Sequence, residues 1–455
     1  MKKLLFLVIT IQLFISCNKE EDPIAPTITS GINKVYLNNL MKQWYLWNDE
    51  LPETIDIDKY DTQNTMLEAL KNDQDRWSLI QDKAEYEAYY QSGTVTDENT
   101  GAHGLYLSVF ENGDLYIRFT YPGSQAFSND LDRGSKINKI NDVDVSTVTT
   151  EEINNLLGAN VKGVTNKFEI TTPDIYVYND EGALEKQDGV TKTIEISKEA
   201  VVVAPIVHKN VITVNRNGQK VKVGHLVFMS FIETAEQALN TAFAEFKAEG
   251  VSEVILDLRY NGGGRVNIAA QLSGLLAPTE ANGKDLFRYR HNNRQAEENS
   301  DYQLEIEDAN LNLDRVFMLT TGNTASASEL MINALRPFMD VQVIGERTHG
   351  KPVGSYGFEN NNFIYSIISL RILNANNEGN YFDGLAVDQV AGDDPSYNWA
   401  DTREPMLYQA LQMIQNGAYD GGSAARKGHF DLDNFKDHDD KYKNVFIIDK
   451  KELKN

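Results

Sequence analysis

The chain contains one cysteine in 455 residues, at position 17, and comparatively few basic residues. A single cysteine cannot form a disulfide within the chain, and no other thiol is present to serve as a nucleophile. The 43 lysines and arginines are outnumbered by 67 aspartates and glutamates, which gives a net charge of −24. Because binding to nucleic acid depends on cationic contacts with phosphates, this balance argues against nucleic acid as a partner.

Long hydrophobic runs are also scarce, and the one at the N-terminus covers residues 4–15 behind two lysines. It is too short to span a bilayer but suits the apolar part of an export signal. The run leads to Cys17, which fits a bacterial lipobox, although Phe14 stands where leucine is usual. We therefore expect residues 1–16 to be a lipoprotein signal peptide and Cys17 to carry a lipid anchor that holds the protein at a membrane.

The segment behind Cys17 predicts where the anchored protein resides. Residues 18–22 (NKEED) resemble the acidic tract of surface-exposed Bacteroidetes lipoproteins. The resemblance implies an outer-membrane lipoprotein of the cell envelope, periplasmic or surface-exposed. Because residues 17–31 contain two prolines and many polar residues, we predict a tether there.

The remaining length exceeds that of one ordinary domain, and the hydrophobic patterning divides it. Apolar residues at spacings of three and four predict an N-terminal helical domain over residues 32–97. Short strands and turn residues follow in residues 98–203. Strands and helices alternate over residues 204–416, which predicts an α/β core around a largely parallel sheet. Residues 417–455 are rich in glycine and charge and are predicted to be a mobile tail, with one late strand at Val445–Ile448.

The order of strands and turns in residues 98–203 resembles a bacterial PDZ domain. The matching features are Gly104-Leu105 at the start of a strand, residues 122–126 (PGSQA) and residues 139–141 (KIN). The resemblance implies a β-rich PDZ-like domain that binds polypeptide C-termini as an added strand. Ser135 stands where aspartate is usual, and a small β domain without a ligand is the alternative.

Three consecutive glycines, Gly262, Gly263 and Gly264, follow a buried strand and precede a helix. Glycines at such a position let the backbone approach a ligand closely. A dinucleotide-binding loop does not fit, because Asn267 stands where a third glycine of that motif is needed. An oxyanion hole, a clamp on a substrate backbone and a simple tight turn remain as interpretations.

Ser326 lies where a loop is predicted to become a helix, and its position has two interpretations. Ser326 and Glu329 have the S-x-x-E spacing of a capping box, so the serine can be a helix cap. The same position suits a nucleophile, because the Ala327 N–H at the helix start can stabilise an oxyanion.

A nucleophilic serine needs a base, and His349 and Lys351 are the rivals. His349 would complete a Ser-His-Asp arrangement with Asp257 or Asp340 as the residue that orients it. Lys351 lies between Gly350 and Pro352 and works as a base only if desolvation lowers its pKa toward neutrality.

Three blocks in order look like those of the C-terminal processing (tail-specific) serine peptidases: residues 257–264 (DLRYNGGG), 324–329 (TASASE) and 345–351 (GERTHGK). The resemblance covers roughly residues 32–415. It implies a crotonase/ClpP-like core, Ser326 as nucleophile, Lys351 as general base, and oxyanion donors at Ala327 and Gly263, with no metal or cofactor. Ser355 stands where the family often has a glutamine that orients the lysine, and is the candidate third member.

The sequence therefore predicts a serine endopeptidase that cleaves exported or envelope proteins and engages their C-terminal segments. A non-catalytic peptide- or glycan-binding surface lipoprotein with a peptidase fold is the alternative from another class. A crotonase-like acyl-CoA enzyme shares the fold class, but the export signal and the PDZ-like region disfavour it.

Overall fold

The computed structural model describes residues 24–94, 100–110, 112–421, 429–431 and 446–448. The predicted signal peptide, the lipidation site Cys17 and the first part of the predicted tether lie outside these residues. None of the helices described is long and apolar enough to cross a membrane.

The helices and strands of the described residues are numbered here in chain order. The helices are α1 (Ile24–Trp44), α2 (Gln63–Leu70), α3 (Lys83–Ser92), α4 (Gln125–Ser128), α5 (Thr150–Leu157), α6 (Ala235–Glu249), α7 (Val266–Leu276), α8 (Ala327–Leu335) and α9 (Pro405–Asn416). The strands are β1 (Leu79–Asp82), β2 (Leu105–Phe110), β3 (Leu115–Thr120), β4 (Lys136–Ile140), β5 (Val143–Asp144), β6 (Thr165–Thr171), β7 (Ile175–Tyr178), β8 (Leu184–Gln187), β9 (Thr191–Ser197), β10 (Ile206–Arg216), β11 (Gln219–Phe228), β12 (Glu253–Asp257), β13 (Gly264–Arg265), β14 (Asp285–His291), β15 (Ser300–Gln303), β16 (Arg315–Thr320), β17 (Asp340–Gly345), β18 (Val353–Asn360), β19 (Phe363–Asn374), β20 (Gln389–Val390), β21 (His429–Asp431) and β22 (Phe446–Ile448).

Helix α1 begins at Ile24, inside the segment predicted to be a tether. The prediction is therefore wrong from residue 24 onward. Pro26 lies in the first turn of the helix, where its missing N–H would have had no acceptor within the helix. Further along α1, the buried residues Leu37 and Met41 pack in one hydrophobic cluster with Tyr365 of β19, which joins the N-terminal helical segment to the core.

The core sheet has the strand order β10-β11-β12-β16-β17-β20, and its strands are parallel from β11 to β20. All five residues of β12 are buried, as expected for a strand covered on both faces. One face packs against α6, α7 and α8, and the other packs against α9. The predicted mixed α/β fold with a largely parallel sheet is confirmed, while its finer crotonase/ClpP-like description stays a prediction.

A second sheet, called the cleft sheet below, has the order β13-β22-β18-β19-β14-β15, and β1 pairs with β19 outside this path. Strands β18, β19, β14 and β15 are antiparallel, whereas β22 is parallel to both β13 and β18. Of these strands, the sequence pattern predicts only two, one at Phe363–Leu373, which corresponds to β19, and the late strand at Val445–Ile448. Strand β18 (VGSYGFEN) escaped prediction because two glycines and a serine interrupt its apolar pattern.

The third sheet, called the outer sheet, has the order β21-β2-β3-β4-β6-β9 and belongs to the predicted PDZ-like region, apart from β21. Its hydrophobic core contains Leu107, Ile117, Ile137 and Phe168, with α5 packed against it. The sequence pattern predicts strands at Leu105–Phe110 and Lys136–Ile140 and a helix at Thr150–Leu157, and β2, β4 and α5 have these same bounds. The assignment to the PDZ type stays a prediction.

Strands β12, β16 and β17 place the three sequence blocks at one edge of the core sheet. The strands are parallel neighbours and end at Asp257, Thr320 and Gly345. Because the carboxyl ends of parallel strands point to the same edge, the loops that follow them converge.

Candidate active site

The three loops are hydrogen-bonded to one another at the carboxyl edge of the core sheet. The Ala325 N–H donates to the carbonyl of Asn261 at 3.1 Å, and the His349 N–H donates to the carbonyl of Thr324 at 3.0 Å. The serine loop is therefore held between the glycine loop and the loop that carries Lys351.

Ser326 is fully buried and has φ 59° and ψ −115° directly before α8. A positive φ is unfavourable for a residue with a side chain, and such strain is concentrated at functional sites. Gly263 packs directly against it, because a Cβ built on Gly263 would lie 2.6 Å from the Ser326 Cβ. Only glycine fits at position 263, which also has a positive φ of 108°.

Glu329 links the backbone of Ser326 to that of Lys351. One carboxylate oxygen, Oε2, accepts hydrogen bonds from the Ser326 N–H at 2.9 Å and from the Lys351 N–H at 2.8 Å. The other oxygen, Oε1, accepts from the Gly350 N–H at 2.6 Å and from the Thr348 hydroxyl at 2.5 Å. A single buried side chain thus holds the proposed nucleophile and the proposed base in one place.

The sequence showed Glu329 only as the fourth residue of a capping box. The capping hydrogen bond to the Ser326 N–H is present, but Glu329 makes three further bonds to the loop 348–351. Burial raises the pKa of the Glu329 carboxyl, and the four donors act in the opposite direction. No local pattern indicates these bonds, because their donors follow 19 to 22 residues later in the chain.

Lys351 is 1 % exposed, and burial lowers the pKa of its amine to about 7. The negative charges of Asp75 and Glu329 act in the opposite direction without overcoming the burial. Asp75 precedes β1 and is itself buried, with Oδ1 accepting the N–H groups of Trp77 at 3.0 Å and Ser78 at 2.8 Å. The sequence offered no signal that separates Asp75 from its acidic neighbours.

His349 lies near the site but is engaged elsewhere. Its Nε2 accepts a hydrogen bond from the indole Nε1–H of Trp77 at 3.2 Å. Burial and the positive charges of Arg76 and Lys351 lower the pKa of His349, and the bond to the Gly322 backbone opposes them. The ring nitrogen that a base would use is therefore already an acceptor for Trp77.

The two aspartates considered as partners for His349 lie in other surroundings. Asp257 forms an ion pair with Arg259, with Nη2 and Oδ2 at 2.7 Å. Asp340 is the first residue of β17, at the end of the strand opposite to the loop that carries His349. The structure therefore does not assemble the Ser-His-Asp alternative.

The two predicted oxyanion donors have different environments. Ala327 is the first residue of α8, so its N–H has no acceptor within the helix. Its nitrogen would lie 3.0 Å from a Cβ on Gly263, next to Ser326. The Gly263 N–H, however, donates to Oδ1 of Asn261 at 2.9 Å. The prediction that this N–H faces an oxyanion is thus not met in the conformation described.

Ser355 is buried on β18, four residues after Lys351. It pairs with Ile368 of β19 on one side and with Ile447 of β22 on the other, and the register shifts between Gly354 and Ser355. Its role as the third member of the site stays a prediction.

A second buried charge cluster, centred on Arg259, lies beside the glycine loop. Arg259 bonds Asp257, and its Nη1 lies 2.7 Å from carboxylate oxygens of both Asp393 and Glu404. Arg133 of the outer-sheet region is fully buried, forms an ion pair with Asp393, and donates from Nη1 to the Tyr260 hydroxyl at 2.8 Å. Through the bond from Arg133 to Tyr260, the cluster connects the outer-sheet region to the start of the glycine loop. Sequence reasoning missed it, because its members are far apart in the chain.

Known families match the chain in two segments. The profile of peptidase family S41 matches residues 222–382, and that of the peptidase S41 N-terminal domain matches residues 32–79. These two segments, which together make up slightly under half of the chain, carry the signature of peptidase family S41. The predicted relation to the C-terminal processing peptidases is thereby confirmed. The first match contains Ser326 and Lys351 and the second contains Asp75, so both matched segments contribute residues to the candidate site.

Two named relatives match this chain at low sequence identity. A carboxyl-terminal-processing protease from Picosynechococcus is 25 % identical over 271 residues, which cover 58 % of each chain. A protein named as a CtpA-like serine protease from Staphylococcus aureus is 23 % identical over 360 residues, or 76 % of this chain and 62 % of the relative. The chain therefore spans less than two thirds of the length of these relatives.

Among solved structures, a protein assigned as an S41 protease from Bacteroides fragilis aligns with a TM-score of 0.67 and 26 % identity. The alignment covers 83 % of this chain and 96 % of that protein. This structure supports the S41 assignment across most of the folded chain.

Proposed function

We propose that this protein is a serine endopeptidase in which Ser326 is the nucleophile and Lys351 is the general base. The observation that carries the proposal is the buried position of Lys351, whose backbone is joined to that of Ser326 through Glu329. Burial lowers the pKa of the Lys351 amine to about 7. An amine with this pKa is largely neutral at slightly alkaline pH and can accept a proton.

The reaction follows from this arrangement. Lys351 Nζ accepts the proton of the Ser326 hydroxyl as Oγ attacks the peptide carbonyl carbon. The Ala327 N–H at the start of α8 stabilises the oxyanion of the tetrahedral intermediate. The C–N bond then breaks, Lys351 returns the proton to the leaving amine, and water hydrolyses the acyl-enzyme with the same lysine as base. The third member of the proposed site is Ser355, whose hydroxyl would hydrogen-bond the Lys351 amine.

The substrates are polypeptides bound in extended form. Glycine-rich backbone at residues 262–264 and strand β18 flank the site and offer hydrogen-bonding edges to such a chain. The outer-sheet region, as a PDZ-like domain, would engage substrate C-termini along β2. Exported and envelope proteins are the expected targets.

The proposed location rests on the N-terminal residues 1–22. Acylation of Cys17 would anchor the protein to the envelope membrane. Cys17→Ser should move the protein from the membrane fraction to the soluble fraction. Retention of the variant in the membrane fraction would contradict a lipid anchor at this position.

Hydrolysis of β-casein by the purified full-length protein tests the catalytic proposal. Ser326→Ala and Lys351→Ala should each abolish hydrolysis, whereas His349→Ala should retain it, because Trp77 already occupies the histidine nitrogen. Loss of activity in His349→Ala together with full activity in Lys351→Ala would overturn the assignment of the base.

A second candidate is a peptide-binding protein that uses the peptidase fold without turnover. The bond from the Gly263 N–H to Asn261 favours it, because an engaged N–H cannot stabilise an oxyanion. Binding of β-casein without cleavage, unchanged in Ser326→Ala, would support this candidate over the peptidase.

A further inference from the structure

The groove beside the candidate active site contains a strand from the chain's own C-terminus. Strand β22 lies between β13 and β18 and pairs with both. Phe446 pairs with Gly264, and Ile447 pairs with Arg265 on one side and with Ser355 on the other. An extended segment thus fills a gap that is one strand wide.

Both walls of this groove come from the catalytic loops. Gly264 directly follows Gly263, which packs against Ser326. On the other wall, β18 begins at Val353, two residues after Lys351. Because β13 and β18 do not pair with each other, each presents a backbone edge that an extended peptide can bind. Strand β22 occupies the place where the proposed substrate would lie.

The same C-terminal region also covers the second peptide-binding edge. Strand β21 pairs antiparallel with β2, with Phe430 opposite Val109. Without β21, β2 would be the edge strand of the outer sheet. Antiparallel addition to this edge is how a PDZ domain binds peptide. Two separate strands of one tail thus lie on the two edges expected to receive substrate.

The conformation of the glycine loop favours an inhibitory role for this tail over a substrate role. With β22 in the groove, the Gly263 N–H donates to Asn261 Oδ1. The oxyanion hole therefore lacks one of its two expected donors while the groove is filled. A strand bound in this state is held without the stabilisation that cleavage requires.

We propose that strands β21 and β22 are an intrachain inhibitor that competes with polypeptide substrates for the groove between β13 and β18 and for the edge of β2. The proposal rests on the proposed peptidase function. Because the inhibitor is tethered, its effective concentration is high and does not depend on protein concentration. Substrates act by displacing the tail, so weakening either strand raises activity.

The test compares two proline variants of the full-length protein. Ile447→Pro removes a backbone N–H in the middle of β22 and should weaken its pairing. Glu452→Pro introduces the same residue beyond the strand and serves as the matched control. We expect Ile447→Pro to raise kcat/KM for β-casein about tenfold or more, and Glu452→Pro to leave it unchanged. Equal activity of both variants and the wild type would overturn the proposal.

A second experiment adds a synthetic peptide with the sequence of residues 443–452, which contains β22, to the protein in solution. Added to Ile447→Pro, it should restore inhibition, whereas the same peptide carrying proline at position 447 should not. Mass spectrometry should find the tail of the wild type intact. A cut in the tail that disappears in Ser326→Ala would overturn inhibition in favour of self-processing.

A binding measurement separates failure of this inference from failure of the peptidase proposal. Fluorescein-labelled 443–452 peptide should bind Ser326→Ala/Ile447→Pro and bind Ser326→Ala far more weakly, because the native tail competes in the latter. This result requires no catalysis. Equal binding to both variants would show that β22 does not occupy the groove, whatever the activity of the protein.

Discussion

Lys351 and Arg259 are two basic side chains of the same fold, each 1 % exposed, whose surroundings shift their pKa values in opposite directions. Burial lowers the pKa of Lys351 to about 7, although Asp75 and Glu329 oppose it. For Arg259 the nearby carboxylates prevail over burial and hold the pKa of the guanidinium above its usual range. Three carboxylates bond Arg259 directly: those of Asp257, Asp393 and Glu404.

The difference shows that burial alone does not determine the charge of a group. Glu329, one of the two carboxylates acting on Lys351, uses its oxygens to accept four hydrogen bonds from the serine and lysine loops. Three backbone N–H groups and the Thr348 hydroxyl therefore stabilise the negative charge of Glu329. The carboxylates around Arg259 are instead directed at the cation itself. The first arrangement favours a neutral amine suited to proton transfer, and the second favours a permanent charge suited to structure.

Lys351→Arg tests most directly whether activity requires a neutral amine at this position. Arginine remains protonated in proteins and cannot act as a base. We expect kcat/KM for β-casein to fall by about 10³-fold or more, with the fold retained by circular dichroism. Activity within tenfold of the wild type would show that no neutral group is needed at position 351.

Replacing each of these two side chains with methionine should change the free energy of unfolding in opposite directions. Arg259→Met leaves the buried carboxylates of Asp257 and Glu404 without their arginine, while Asp393 keeps Arg133. The change should lower the free energy of unfolding by about 3–5 kcal/mol. Lys351→Met removes a buried ionisable group and should raise it by about 1–3 kcal/mol. Urea unfolding at pH 7 measures both. A loss of stability in Lys351→Met would contradict the lowered pKa.

The same lysine makes wild-type stability depend on pH. Its folded pKa of about 7 lies below that of lysine in the unfolded chain, near 10.5. Between these values the unfolded chain binds more protons, so the contribution of this group to stability increases with pH across the window. Lys351→Met should lack this contribution. An identical slope of stability against pH in both proteins would refute it.

Glu329→Gln tests the link between the two loops. The amide nitrogen of glutamine cannot accept the N–H bonds that the carboxylate receives. We expect kcat to fall about 10- to 100-fold through misplacement of Ser326 and Lys351, with a smaller effect on KM. Glu346→Gln, an exposed residue of the same loop, is the control. Equal effects of the two changes would show that Glu329 has no special positioning role.

Asp75→Asn should produce the smallest effect, a shift in the pH dependence of activity. Activity should rise through about pH 7 as Lys351 loses its proton. Because the Asp75 charge raises the pKa of Lys351, its removal should move this rise to lower pH, by roughly one unit or less. The exposed Asp73→Asn should leave the profile unchanged. A shift to higher pH would contradict the assigned direction.

Much of the core was predictable because its signals are local. β12 and β16 contain continuous apolar runs, β17 alternates polar and apolar residues before Val343 and Ile344, and the helices between these strands have clear periodicity. The strands of the cleft sheet were mostly missed. Their burial depends on partners distant in sequence, and β18 carries glycines and a serine where an isolated strand would be apolar.

The sequence alone determined the chemical groups of the site and their approximate position in the fold. Ser326, Lys351 and the glycines at 262–264 follow apolar strands, and parallel strands bring their carboxyl ends to one edge. Tertiary structure decided how these groups behave. The pKa of Lys351, the three bonds of Glu329 to the lysine loop, the bond between His349 and Trp77 and the strand in the groove all depend on residues distant in the chain. Desolvation and backbone pairing arise from whatever packs around a group, and no local pattern records that packing.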